Sequence, residues 1–105
     1  MKRKTKYISQ LIRSYVNSID NEAEVILYGS RARGDERKDS DWDILILTNY
    51  SVDISQERKF RDKLYDLELE TGETFSVFVY SKSEWQTKQK ITPFFSNVTH
   101  EGLIL

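Results

Sequence analysis

Leu27-Tyr28-Gly29-Ser30-Arg31-Ala32-Arg33-Gly34, with Ser40-Asp41-Trp42-Asp43-Ile44-Leu45-Ile46-Leu47 after it, decides how this chain reads. Val25 to Tyr28 is an apolar run of strand formers that stops at a Gly-Ser pair, whose backbone amides can turn toward an anion. A short helical turn beginning at Ser30 would aim its free N–H groups and positive dipole end at the same point. Arg31 and Arg33 lie just beyond. Ten residues separate Ser30 from Asp41, where two carboxylates two positions apart open a second apolar run. Strand alternation sets Asp41 and Asp43 on one face and Trp42 on the other. Two acids at the mouth of a buried strand repel each other and resist desolvation, which a cation would relieve. Mg2+ suits the pair, because it takes one or two carboxylates plus substrate phosphates, and the Gly-Ser turn offers a phosphate site next door. The chemistry this suggests is nucleotidyl transfer.

Gly29-Ser30, ten residues, then Asp41-x-Asp43 resembles the signature of the DNA polymerase beta-like nucleotidyltransferase superfamily, and most of all its minimal nucleotidyltransferases. Their Gly-Ser-x-Ala-Arg-Gly and Ser-Asp-x-Asp segments match Gly29, Ser30, Ala32, Arg33, Gly34, Ser40, Asp41 and Asp43. The resemblance implies an α+β fold, a small mixed β-sheet with helices packed on it, forming a polymerase beta palm-like core. It implies that Asp41 and Asp43 are the catalytic acids and bind Mg2+, that Gly29 and Ser30 hold the β and γ phosphates of a nucleoside triphosphate, ATP foremost, and that Arg31 or Arg33 neutralises phosphate charge or braces the turn. It also implies a partner, since minimal members are often paired with a small helical HEPN-type protein in toxin and antitoxin modules, which they modify or simply cover.

One position departs from the family pattern. Active members usually carry a third carboxylate on the strand after the long helix, and Ser76 stands there in this chain. A hydroxyl is a weak neutral ligand that cannot replace a carboxylate's charge. Glu70 and Glu73 are close in sequence but read as surface acids at a helix end and a turn. The resemblance, with Ser76 at this position, implies two expectations: a Mg2+-dependent transferase acting on an acceptor hydroxyl of a partner protein, or a binding module that kept the fold, lost efficient transfer and neutralises a toxin by covering it.

The chain has 105 residues, 38% hydrophobic and 31% charged, with a formal charge of −1. This suits one domain, residues 1–105, that buries roughly two-thirds of its unfolded surface. The balanced charge gives no general pull toward nucleic acid or anionic membrane. Lys2, Arg3, Lys4 and Lys6 read as a solvated terminus without aromatic residues interleaved to stack bases, which argues against a nucleic-acid partner and against a repair polymerase. The lack of cysteine, with a single histidine, excludes a disulfide framework, argues against a zinc cluster and fits a reducing cytoplasm. The start of the chain is not a secretory signal, and no run approaches transmembrane length.

Elsewhere the pattern supplies a scaffold. Ile8, Leu11, Ile12, Tyr15, Val16 and Ile19 form one stripe of a helix over Lys4 to Ser18. Asp35 to Asp39 reads as a charged exposed loop. Asp53 and Gln56 can cap a helix running to about Glu70, with Phe60, Leu64 and Leu67 inward and Gly72 as its stop. Thr74 to Tyr80 reads as a third strand. Ser81 and Glu84 can open a short helix to about Gln89 carrying Trp85 inward, and Thr92-Pro93 can open a last helix ending at Gly102. His100, in its final turn, suits the negative end of the dipole better than general base work. Leu103 to Leu105 either fold back on the domain or form part of a partner surface.

Overall fold

Alternation along the apolar runs builds a sheet with two covered faces. The computed structural model describes residues 1–105. Its elements are α1 (Arg3–Asn17), β1 (Glu24–Tyr28), α2 (Ser30–Arg33), β2 (Trp42–Thr48), α3 (Ile54–Thr71), β3 (Phe75–Ser81), α4 (Lys82–Gln86), α5 (Pro93–Glu101) and β4 (Leu103–Ile104). The mixed sheet runs β3-β2-β1-β4, with β1 antiparallel to β2 and β4, and β2 parallel to β3. A parallel neighbour needs a crossover, and α3 provides it.

Val25 and Leu27 of β1, Trp42, Ile44 and Ile46 of β2, and Val77 and Val79 of β3 face the main core, where Ile8, Ile12 and Val16 of α1 meet Phe60, Leu64 and Leu67 of α3. Ile26, Leu45 and Leu47 point the other way, to Trp85 of α4 and Val98 of α5. Being covered on both sides, β2 needs apolar residues at every inner position, which explains the unbroken Ile44 to Leu47 run. The second cover is aromatic, with Phe94 edge-on to Tyr28 at 5.3 Å and to Trp85 at 5.4 Å between ring centroids.

The expected caps form. Asp53 accepts from the Gln56 amide at 2.8 Å while the Gln56 side chain accepts from the Asp53 amide at 3.3 Å, and α3 stops at Gly72. Ser81 accepts from the Glu84 amide at 3.0 Å, and Thr92 from the Phe95 amide at 3.1 Å ahead of Pro93. α4 ends at Gln86, short of the expected Gln89. The Thr87 hydroxyl bonds back to the Ser83 carbonyl at 2.8 Å, a local bond of the kind that competes with helix continuation.

Leu103 to Leu105 fold back. Leu103 and Ile104 pair with Leu27 and Ile26, and the Leu105 amide donates to the Val25 carbonyl at 2.8 Å, which covers the free edge of β1. Sequence pattern gives no warning of a two-residue strand. Its close approach to α5 depends on Gly102, where a Cβ would come within 2.5 Å of the Val98 carbonyl oxygen and 2.8 Å of Ile26 Cγ2. No helix is long and apolar enough to cross a membrane.

Candidate active site

The register between β1 and β2 creates the site. Tyr28, the last residue of β1, lies opposite Asp43 near the start of β2, so the residue after Tyr28 arrives against the Asp43 side chain. That residue is Gly29, at φ 77° and ψ −160°, a backbone region open essentially to glycine alone. A Cβ at Gly29 would overlap Asp43 Oδ2 and stand 3.0 Å from Cγ. The Gly29 carbonyl accepts from the Ala32 and Arg33 amides at 3.0 Å each, which starts the short α2.

Residues two apart on a helix diverge by roughly 200°. Arg31 and Arg33 therefore leave α2 on different sides. Arg31 is buried, its guanidinium 4.5 Å from the centroid of the Trp42 ring, and it donates to the carbonyls of Ser40 at 2.9 Å and Lys38 at 3.3 Å. It ties the Asp35–Asp39 loop to the sheet. Arg33 is exposed and donates to Asp35 at 3.1 Å and to Glu101 at 2.7 Å.

Alternation in β2 buries Trp42 on the α1–α3 face and turns Asp43, partly buried, to the opposite face. Burial holds the Asp43 carboxyl above its usual range; the charges of Asp41 and Glu101 push the same way and Arg33 opposes them. Asp41 is exposed and accepts a hydrogen bond from the Thr74 hydroxyl. Ser40, the residue before Asp41, and Thr74, its hydrogen-bond donor, line an open concavity of about 570 Å³ together with Lys38, Asp39, Gly72 and Glu73. Tyr28, across from Asp43, has its phenol raised by burial and then by Asp43.

A partly buried carboxylate whose charge is opposed by burial and by a neighbouring acid fits a divalent cation. Asp41 and Asp43 are the donors available. Nowhere do three or more His, Cys, Asp or Glu side chains converge as a metal-binding group, so phosphate oxygens or water would have to complete the shell. Ser76 pairs with Asp43 in the parallel register, so the position next to the acid pair carries a hydroxyl. Glu70 and Glu73 turn to α1 instead: Glu70 accepts from the Tyr15 hydroxyl, and Glu73 pairs with Lys4 at 2.5 Å.

Sequence reasoning missed Glu101. It is the last residue of α5, and its carboxylate accepts from the Gly29 amide at 3.0 Å as well as from Arg33. Phe94, Val98 and Glu101 follow one another at i, i+4 and i+7, so an acid closes the inward stripe of α5. That spacing was the available signal. His100 is exposed, with Nδ1 2.8 Å from the Ser96 carbonyl oxygen, and stands outside the site.

No curated protein matches the chain. Among solved structures, a chain in "Crystal structure of the toxin-antitoxin with AMP-PNP" is similar with a TM-score of 0.57 and 16% identity, over 88% of this chain and 70% of that one; the likeness is one of fold. Residues 10–94, from α1 to the start of α5, match the family described as Polymerase beta, Nucleotidyltransferase. With the Gly-Ser turn set against Asp43 inside that span, the chain belongs to the polymerase beta nucleotidyltransferase family.

Proposed function

We propose that this protein transfers a nucleoside monophosphate, AMP from ATP, to an acceptor hydroxyl on a partner protein. The observation that carries the reading is the approach of Gly29 to Asp43, which sets the Gly-Ser turn against one of the two acids. In this reading Gly29 and Ser30 hold the β and γ phosphates, Arg33 neutralises phosphate charge, and Arg31 braces the loop through Lys38 and Ser40. Asp41 and Asp43 would hold Mg2+, which when bound supplies charge neutralisation at the phosphates. The acceptor oxygen bonds to the α-phosphorus as the bond to the bridging oxygen breaks, pyrophosphate leaves with the electron pair, and the hydroxyl proton passes to solvent. Positioning and electrostatics carry most of such a reaction.

A second reading has its own support. Ser76 opposite Asp43 leaves the site one carboxylate short of the usual family pattern, which favours a binding module that neutralises a HEPN-type toxin by complex formation. The toxin-antitoxin complex with AMP-PNP that shares this fold supports a protein partner and a nucleotide under either reading. The two separate in one experiment. ATP is titrated with and without Mg2+, and pyrophosphate release is followed with the candidate partner present, for wild type and for the Asp41→Asn, Asp43→Asn double variant. Transfer predicts Mg2+-dependent release that the double variant loses. Partner neutralisation that survives in the double variant, without release from wild type, refutes transfer and supports the cover.

A further inference from the structure

We propose that Glu101 is an internal anion that occupies the phosphate subsite at Gly29, so that a nucleotide binds only when this side chain swings away. The inference rests on the reading of Gly29 and Ser30 as the phosphate loop and adds a regulation of that site. Glu101 Oε1 accepts from the Gly29 amide at 3.0 Å, and Oε2 accepts from Arg33 at 2.7 Å. A backbone N–H at a glycine turn and a guanidinium are donors that recognise phosphate oxygens. Here one carboxylate satisfies both.

The alternative, that Glu101 replaces the missing third acid of the metal site, fits the geometry less well. Both of its oxygens are engaged by cationic or N–H donors, and Glu101, Asp41 and Asp43 do not converge as a metal-binding group. The contact is built to be broken by a stronger anion. The Glu101 and Arg33 side chains are 22% and 47% exposed, and an ion pair of that exposure is weak. A carboxylate brings one charge, and a triphosphate brings several to the same donors.

The test compares wild type with Glu101→Gln, Glu101→Ala and Asp35→Asn. Asp35 also pairs with Arg33, at 3.1 Å, while the Gly29 amide donates to Glu101, and so Asp35 controls for simple unpairing of the arginine. Each protein is titrated calorimetrically with ATP plus Mg2+ and, separately, with inorganic pyrophosphate, while heteronuclear NMR follows the Gly29 amide. Removing an internal competitor raises apparent affinity by the closed-to-open ratio, here on the order of tenfold for both Glu101 variants and less than about twofold for Asp35→Asn. The Gly29 amide resonance should shift in unliganded Glu101→Gln, whose side chain keeps its shape, with the rest of the spectrum remaining folded. Unchanged affinity in the Glu101 variants overturns the proposal. Weaker Mg2+-dependent binding also overturns it and makes Glu101 a metal ligand. If no protein, wild type included, binds ATP or pyrophosphate, the phosphate-loop reading itself fails and this inference falls with it; binding by wild type without a gain in the variants refutes the internal anion alone.

Discussion

Gly29→Ala tests the geometry on which the site depends. Two costs arise. An alanine at φ 77°, ψ −160° occupies a backbone region that costs about 1–3 kcal/mol for a residue with a Cβ. The new methyl also overlaps Asp43 Oδ2, and with Cγ only 3.0 Å away the carboxylate has to turn off its rotamer, at about 0.5–1.5 kcal/mol. Together the substitution should remove about 1.5–4.5 kcal/mol from a stability that for such domains is about 5–15 kcal/mol. Urea unfolding followed by tryptophan fluorescence reads it well, because Trp42 and Trp85 are both buried. The double-mutant cycle with Asp43→Ala divides the two costs: removing the carboxylate should relieve the overlap, giving a coupling of about 0.5–1.5 kcal/mol, while the backbone cost stays. A loss below about 1 kcal/mol, or a cycle without coupling, would refute the close approach of turn and acid.

Arg31→Met leaves the Lys38 and Ser40 carbonyls without their donor and removes the cation over Trp42; a loss of about 2–4 kcal/mol is expected, with faster tryptic cleavage at Arg37 or Lys38 as the second readout. Asp43→Asn should raise the melting temperature of the metal-free protein near pH 7. The folded carboxyl is raised, so its ionised form opposes folding above that value, and the penalty is released as pH falls through it; melting curves in EDTA should show the advantage of the variant shrinking on acidification. Leu64→Ala, in the core between α3 and the sheet, should cost about 2–5 kcal/mol by urea unfolding.

The sequence carried the parts of this fold that repeat or cap. Helical stripes, alternating strands, the Asp53–Gln56 box and the Thr92-Pro93 start are local signals, and each became an element near its expected bounds. The place of Ser76 beside Asp43 was also within reach, through the family pattern that puts a third carboxylate on the strand after the long helix. β4 was not, because two residues carry no period and pairing with β1 is a tertiary fact. The different courses of Arg31 and Arg33 depend on the α2 turn and on the buried Trp42 ring, which only the assembled sheet brings together. Glu101 escaped because its partners, Gly29 and Arg33, lie 72 and 68 residues away along the chain.

The attachment of β4 has a consequence for how the molecule opens. β1 and β2 share five register pairs and β2 and β3 seven, whereas β4 meets β1 through two, Ile26 with Ile104 and Leu27 with Leu103, which are far apart along the chain. Such long-range, short pairing is late to form and first to release, because closing a long chain segment costs entropy that two residue pairs repay poorly. The C-terminal arm should therefore exchange its amide hydrogens by sub-global opening, at a free energy below that of β1 and β2. Asp43, within β2, would stay fixed on the slowest-exchanging part of the protein while the arm beyond β1 detaches and returns.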